Sequence, residues 1–352
     1  MTSQPDPQGL PFVTPELPGI GGGIKQAPAH FQVQEIPLYL PEGSGEHLYL
    51  TLRREGWTTR ALVKRLAAVF GLRESEIGYA GLKDKQALVT QTFSLHLRSP
   101  EPEEAARLVA DQLPVEVLSA SRHRNKLKPG HLLGNRFRVL VSGPHPEAAD
   151  RARAIAGELI RRGVPNYFGQ QRFGMEGDNA QRGRRLLLTG KGPRQKWLRR
   201  LLLNAFQSQL FNLWLARRIA DGLFQELLEG DLAKKLDTGG LFTVEDLARE
   251  RERFVAGQIT YTGPIYGAKM LPAQGEAGRR EQALLEELGL EEAPWGRAGL
   301  KGGRRRARLL VPELEIKPDA EGLWFGFSLP KGSYATSLLR EFLKDDSLAG
   351  AS

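Results

Sequence analysis

The apolar periodicity of the chain changes twice, and this change limits its architecture more than any other sequence feature. Before Gly163, apolar residues stand at every second position in several short stretches, as in Leu48, Leu50 and Leu52, which is typical of half-buried strands. After Gly163 they recur every three or four residues, the spacing of helices. Alternation returns only from Leu323 to Leu329. We therefore predict an α+β fold in which a mainly helical domain interrupts a strand-rich one.

Several segments carry a clear pattern of one kind or the other. Strands are predicted at Phe31 to Glu35, Glu46 to Arg53, Val89 to Leu97, Phe137 to Val141 and Leu323 to Leu329, and helices at Thr59 to Phe70, Ala149 to Arg162, Trp197 to Ile219, Thr243 to Phe254 and Thr336 to Lys344. The chain of 352 residues exceeds the roughly 100 to 200 of one common domain. We predict a flexible tail over 1–23, a strand-rich domain over 24–162 and 312–352, and a helical insertion over 163–311.

Positive charge is concentrated in three runs of the sequence. Lys and Arg number 50 against 41 Asp and Glu, and the excess clusters at Arg122 to Lys128, Lys191 to Arg200 and Lys301 to Arg308. A single run is typical of a solvated surface. Three runs with a formal net charge of +9 favour a polyanionic partner, nucleic acid ahead of an anionic membrane.

Several kinds of chemistry are excluded by what the sequence lacks. It contains no cysteine, which rules out disulfides, thiolate metal sites and a thiol nucleophile. Its six histidines are scattered without metal-ligand spacing, and neither Gly-x-x-x-x-Gly-Lys-Ser/Thr nor Gly-x-Gly-x-x-Gly occurs. We therefore predict no metal site and no small-molecule cofactor.

The first residues, MTSQPDPQGLPFVTPELPGIGGG, carry five prolines but lack the basic and apolar regions of a secretory signal. No stretch of the sequence approaches the roughly 18 uncharged apolar residues of a membrane span. Together with the absence of cysteine, these features predict a cytoplasmic protein without a membrane partner.

One carboxylate stands out among the residues that remain. The segment AGLKDKQA, Ala80 to Ala87, is a polar turn before a predicted strand, and it places Asp84 between Lys83 and Lys85. From its neighbours alone, a solvated turn aspartate is the favoured interpretation. With thiol and metal chemistry excluded, carboxylate chemistry beside basic residues remains, and Asp84 is its sharpest candidate, although composition alone would not choose it.

Five separated motifs resemble, in the same order, those of the tRNA pseudouridine synthase D (TruD) family. They are GIKQAPAHFQVQE (Gly23 to Glu35), AGLKDKQALVTQ (Ala80 to Gln91), GNRF (Gly134 to Phe137), GVPNYFGQQRFG (Gly163 to Gly174) and LPKGSYATSLLRE (Leu329 to Glu341). The resemblance spans about Ile24 to Phe342. It implies a pseudouridine synthase core, with a mixed, largely antiparallel sheet and flanking helices, interrupted by a TRUD-type insertion domain.

The same resemblance implies a site and a reaction. The catalytic position of the family corresponds to Asp84, and its substrate-contacting positions correspond to Lys25, Phe31, Asn135, Phe137 and Tyr334. Lys25 would be a charge partner of the carboxylate, and Phe137 would stack on a base. Arg136 departs from the small residue usual at its position, and Tyr334 from a common Phe. The implied reaction converts a uridine of tRNA, uridine 13 in the D arm, to pseudouridine without a cofactor, and we expect a monomer.

Two other functions stay open from the residues alone. They are a non-catalytic RNA-binding protein of translation or ribosome assembly and a surface-binding interaction protein. Both explain the basic charge, but neither explains an aspartate within a basic turn. Uridine C5-methyltransferases attack uracil with a thiol, so a chain without cysteine cannot belong to that class. Formation of pseudouridine in tRNA would separate the enzyme from the binders.

Overall fold

The computed structural model describes residues 9–24, 26–174 and 176–345. The strands within these ranges are β1 (Phe31–Pro37), β2 (His47–Arg54), β3 (Ile77–Tyr79), β4 (Leu88–His96), β5 (Glu116–His123), β6 (Leu132–Ser142), β7 (Val164–Pro165), β8 (Leu232–Lys235), β9 (Leu241–Thr243), β10 (Ile259–Ile265), β11 (Gly303–Arg306), β12 (Arg308–Leu309), β13 (Glu315–Asp319) and β14 (Gly322–Pro330). Each predicted strand is present, and most extend by one or more residues beyond the predicted bounds.

Besides short 3-10 helices, the same ranges contain α-helices. They are α1 (Thr59–Phe70), α2 (Pro102–Gln112), α3 (Ala148–Arg162), α4 (Asn179–Thr189), α5 (Lys196–Ala220), α6 (Leu247–Val255), α7 (Gly275–Glu287) and α8 (Ala335–Leu343). Among these described helices, none combines the length and apolarity needed to cross a membrane.

Internal contacts divide the described chain into two compact units. The sheet unit comprises 20–149, apart from residue 25, and 313–332, and the helical unit comprises 9–19, 150–312, apart from residue 175, and 333–345. These limits differ from the predicted domains, because α3 from Asp150 onward and the whole of α8 lie in the helical unit. Ser337 on α8 donates a hydrogen bond to the carbonyl of Tyr167 at 3.1 Å, which ties this last helix to its unit.

One mixed sheet organises the sheet unit. Its strands follow the order β13-β14-β6-β1-β4-β2-β5, and β3 pairs with β4. The pair β1 and β4 is parallel, whereas every other neighbouring pair in this sheet is antiparallel. The prediction of an α+β fold with a mixed, largely antiparallel sheet is confirmed.

The apolar core of the sheet unit lies beneath β2 and β4. Leu48, Leu50 and Leu52 are fully buried and pack in one cluster with Leu62 and Leu66 of α1. Burial of each such side chain contributes about 1.5 to 3 kcal/mol to stability. The alternating leucines of β2 are therefore buried, as their periodicity predicted, and α1 packs against them.

Helix α1 begins and ends where local signals place it. The Thr58 hydroxyl accepts a hydrogen bond from the amide of Ala61 at 3.2 Å, and Gly71 ends the helix with φ of 63°. The bounds Thr59–Phe70 match the prediction. This matters for the site because Thr59, the first helical residue, is buried beside the loop that carries Asp84.

Helix α5 forms the core of the helical unit. Leu203, Phe206, Leu210 and Trp214 are buried along one stripe, as their spacing predicted. Helix α4 approaches closely at Gly183, where an added Cβ would lie 2.1 Å from a backbone oxygen of α5. A four-stranded sheet, β11-β10-β8-β9, and the pair β12-β7 complete the unit.

Helix α6 begins later than its sequence pattern predicted. Thr243 ends β9, and the Asp246 carboxylate caps α6 by accepting from the amide of Arg249 at 3.1 Å. The prediction of a helix over Thr243 to Phe254 is therefore wrong at its start. Because aspartate is a strong N-cap, the helix begins about one turn after its predicted start at Thr243.

The N-terminal segment is packed where it is described. The amide of Val13 donates to Glu341 Oε1 at 3.0 Å, and the hydroxyl of Thr14 donates to Oε2 at 3.3 Å. Within the sheet unit, the amide of Gly23 donates to the carbonyl of Ser142 at 3.0 Å. The prediction of a flexible tail over 1–23 is thus wrong for residues 9–23, because long-range hydrogen bonds hold them. Residues 1–8 lie outside the described residues.

Candidate active site

Asp84 lies on the exposed loop that joins β3 to β4. Its Oδ1 atom accepts a hydrogen bond from the amide of Gln86 at 3.2 Å, which is an Asx turn. This local bond fixes the direction of the side chain, while the carboxylate stays accessible to solvent. A carboxylate held in this way can meet a bound molecule without a large rearrangement.

The backbone on both sides of Asp84 is anchored. The amide of Lys83 donates to Thr59 Oγ1 at 2.9 Å, and the amide of Gly56 donates to the carbonyl of Lys85 at 3.0 Å. The anchors come from the first turn of α1 and from the segment before it. The loop therefore presents Asp84 from a fixed position rather than from a freely moving turn.

A buried carboxylate lies behind this loop. Glu35 on β1 forms an ion pair with Lys83, its Oε1 lying 3.3 Å from Nζ, and both side chains are less than a tenth exposed. Glu35 Oε1 also accepts from Gln91 Nε2 at 3.1 Å, and Oε2 accepts from the amide of Thr92 at 3.2 Å. Each carboxylate oxygen of Glu35 is thus engaged, as a buried charge requires.

Arg54, at the end of β2, completes the buried network. It is 2% exposed and donates through Nη2 to Thr59 Oγ1 at 3.2 Å and to Gln91 Oε1 at 3.1 Å. Burial lowers the pKa of Arg54 to about 10, although the charge of Glu35 opposes this shift. Burial also lowers the pKa of Lys83, again opposed by Glu35. The buried network therefore holds two cations, Lys83 and Arg54, but one carboxylate, Glu35. This excess of positive charge attracts an anionic group.

The predicted substrate contacts on β1 and β6 lie on one face of the sheet. Asn135 pairs with Glu35 and Phe137 pairs with Val33 across the two strands, and alternation places both β6 side chains on the same side. Lys83 Nζ donates a hydrogen bond to Asn135 Oδ1. The structure thus brings Asn135 beside the residue that precedes Asp84.

Phe31 and Phe137 belong to an aromatic cluster in the sheet unit. The ring of Phe137 stacks on Phe327 with centroids 5.4 Å apart and meets the edge of Phe31 at 6.2 Å. Both predicted residues are 7% exposed. Their packing shows that each contributes to the core, whatever contact it also makes with a substrate.

Replacing Phe137 by leucine is expected to destabilise the fold by about 1 to 2 kcal/mol, because the ring loses its stack on Phe327. The matched control is Phe325→Leu, which removes another buried ring of the same sheet. If Phe137 also stacks on a substrate base, only Phe137→Leu lowers the single-turnover rate at saturating enzyme. Urea unfolding and the two rates measure this, and equal rates would contradict the stacking role.

Of the remaining two predicted site residues, the structure describes one. Tyr334 is the N-cap residue of α8 in the helical unit, and its ring lies 6.2 Å from that of Phe168. Lys25 lies outside the described residues. Within the sheet unit, the structure therefore brings together the Asp84 loop and Asn135, with Phe31 and Phe137 on the strands beside them.

The sequence interpretation missed the residues that support the loop. Glu35 and Gln91 were assigned no role beyond their strands and motifs, and Arg54 lay just beyond the predicted strand, yet all three occupy inward positions of the alternation. Gln91 stands between Val89 and Phe93 on the buried face of β4. A polar residue at an inward strand position is a detectable signal, because burial of such a group requires a partner.

The identity of the chain follows from a comparison with family sequences. The sequence model of tRNA pseudouridine synthase D (TruD) matches residues 9–190 and 194–342. The chain belongs to the TruD family, which makes it an enzyme of the isomerase class.

Relatives of this family match nearly the whole chain. A tRNA pseudouridine synthase D of Thermus thermophilus is 46% identical over 342 residues, which cover 97% of this chain and 94% of the relative. One of Anaeromyxobacter dehalogenans is 48% identical over 346 residues, covering 96% and 97%. A crystal structure from Methanosarcina mazei that carries the TruD name has 24% identity and a TM-score of 0.77, with 96% and 97% coverage. This likeness confirms the fold.

Proposed function

We propose that this protein converts uridine 13 in the D arm of tRNA to pseudouridine, and that the Asp84 carboxylate is its catalytic group. We further propose that it works as a cytoplasmic monomer without a metal ion or small-molecule cofactor. The observation that carries the proposal is exposed Asp84 on a loop whose backbone is anchored on both sides and whose Lys83 side chain pairs with buried Glu35.

Pseudouridine formation requires a carboxylate but no external reactant. Pseudouridylation breaks the bond between ribose C1′ and uracil N1, turns the base, and joins its C5 to the same sugar carbon. The product has the mass of the substrate, so no oxidant, reductant or group donor takes part. A carboxylate can act at the sugar carbon as a nucleophile or as a base. The exposure of Asp84 and the hydrogen bond that its carboxylate accepts from the amide of Gln86 support this role.

The other residues serve binding in this proposal. The target base must leave its stack, which costs a few kcal/mol, and stacking on Phe137 of the sheet unit offsets part of this cost. Tyr334 of the helical unit is a substrate contact that the family motif implies. Asn135 orients the base or its sugar, and Phe31 supports the aromatic cluster beside it. Lys25 is the proposed charge partner of the carboxylate, as the family motif implies.

The test is to map the modification made by the purified protein. Unmodified tRNA transcript is folded in monovalent salt and incubated with the protein and EDTA, without any nucleotide. Carbodiimide labelling then locates pseudouridine. We expect a single new adduct at uridine 13. Adducts only at other positions would overturn the assignment of the target, and loss of the reaction in EDTA with the tRNA still folded would overturn the cofactor-free mechanism.

A further inference from the structure

The basic runs of the sequence divide into buried and exposed parts. In the run Lys301 to Arg308, Arg304 forms an ion pair with Glu281 at 2.7 Å, and both side chains are less than a tenth exposed. The guanidinium of Arg305 lies 3.9 Å from the centre of the Phe168 ring. Burial lowers the pKa of Arg305 to about 10. These arginines hold the helical unit together, so they are not the surface that meets a polyanion.

Other members of two runs line a cleft of the helical unit, which we call the basic cleft. Its walls are the end of α4, the start of α5 and the segment 294–302, and its volume is ≈ 870 Å³. Its cations are Lys196, Arg199, Arg200, Arg297 and Lys301. The fold thus brings together positive charges that are a hundred residues apart in the sequence.

The basic cleft is electrostatically unbalanced. No Asp or Glu is among its lining residues, and in the described ranges none of its five cations forms an ion pair with a carboxylate. Elsewhere in the same unit, surface arginines are neutralised in this way, as in Arg217 with Glu287 at 2.5 Å and Arg280 with Asp221 at 2.6 Å. Unpaired cations along a concave surface raise the local concentration of anions.

An exposed aromatic residue lies next to the basic cleft. Trp197 is 67% exposed, and on α5 it stands between Lys196 and, one turn further, Arg200. Leu201 follows on the same face and is 40% exposed. An indole ring beside cations is a surface on which an unpaired base can stack while the cations bind its backbone phosphates.

We propose that the basic cleft binds backbone phosphates of the RNA substrate at a distance in sequence from the modified uridine, and that Trp197 stacks on an unpaired base of the same segment. This inference rests on the proposed function only in taking RNA as the partner. A single-stranded or looped segment fits best, because the cations follow a groove and the ring needs an unstacked base.

The test of the cleft is a triple variant, Lys196→Gln, Arg200→Gln and Arg297→Gln, made in the full chain. All three side chains are exposed, so the fold is expected to be unchanged. Binding of unmodified tRNA transcript is measured across salt concentrations. We expect binding at least tenfold weaker at about 0.1 M salt, and a slope of log affinity against log salt flatter by about 2 to 3, since each lost phosphate contact removes about 0.7 to 0.9.

A second triple variant controls for the loss of charge alone. Lys235→Gln, Arg249→Gln and Arg279→Gln remove the same charge from exposed positions of this unit outside the cleft. We expect much less weakening and a slope close to that of the wild type. Equal effects of the two triple variants, or a cleft variant that binds like the wild type, would overturn the proposal.

Trp197→Ala tests the stacking contact separately. We expect roughly tenfold weaker tRNA binding with an unchanged salt slope, because stacking releases no counterions. The control is Val255→Ala, which trims an apolar side chain that is 81% exposed. Unchanged binding by Trp197→Ala would remove the stacking role.

The same experiments separate this inference from the proposed function. The cleft inference is judged by tRNA binding of the two triple variants, whereas the proposed function is judged by whether the wild type forms pseudouridine. A wild type that binds tRNA but forms no pseudouridine would defeat the proposed function, while the cleft comparison would still be decided by binding. A wild type that binds no tRNA would defeat both.

Discussion

Asp84→Asn is expected to lower the rate of pseudouridine formation by roughly a thousandfold or more, because the amide lacks the nucleophilic and basic oxygen of the carboxylate. The fold should be retained, since the asparagine oxygen can still accept the hydrogen bond from the Gln86 amide. tRNA binding should be equal or slightly tighter, because a negative charge is removed from a basic surface. Steady-state rates, tRNA affinity and thermal unfolding measure the three effects.

The matched control for this change is Asp111→Asn, which makes the same substitution at an exposed position of α2. Its rate should equal that of the wild type. If Asp84 were only a solvated turn residue, its pairing with neighbouring lysines would contribute about 0 to 1 kcal/mol, and its variant would behave like the control. Similar rates for both variants would therefore disprove the catalytic role.

Glu35→Gln is expected to destabilise the protein by about 3 to 5 kcal/mol, the typical cost of leaving a buried charge without its partner. The change leaves Lys83 and Arg54 in the interior without their carboxylate. The rate should also fall in protein that is still folded, because Lys83 belongs to the anchored loop that presents Asp84. Urea unfolding and single-turnover rates, both at a temperature where the variant is folded, test this prediction.

An exposed ion pair of the same unit gives the control for Glu35. Arg53 and Glu116 lie 2.9 Å apart with side chains 45% and 56% exposed, so Glu116→Gln should cost less than about 1 kcal/mol. The double variant Glu35→Gln with Lys83→Met should be more stable than Glu35→Gln alone, because it removes the uncompensated charge. Equal losses for Glu35→Gln and Glu116→Gln would show that the buried network does not support the loop.

Local signals predicted those parts of the fold that depend on near neighbours in sequence. Helix α1 was placed correctly because its cap, apolar stripe and terminal Gly71 are all within its own segment. The packed N-terminal segment could not be predicted in this way, because the burial of Val13 depends on Glu341, 328 residues away. No periodicity within a tail of prolines and glycines reports such a partner.

In the candidate site too, the loop was predicted from its own residues, whereas its supporting contacts with other strands were not. Asp84 was found through its motif, and its Asx turn agrees with the polar loop that the sequence indicated. Its support was not found, because Glu35 and Gln91 belong to strands that meet only in the folded sheet. The basic runs did not distinguish buried cations from exposed ones. Arg304 is buried in an ion pair, whereas Lys301, in the same run, is exposed in the basic cleft.

Catalysis by Asp84 is tested by single-turnover release of tritium from C5-labelled uridine in tRNA, with enzyme in excess. Wild-type protein and Asp84→Asn are compared at saturating enzyme, so that differences in affinity do not enter the rate. We expect full release at one uridine per tRNA by the wild type and none above background by the variant. Release by a folded Asp84→Asn protein at close to the wild-type rate would contradict this expectation.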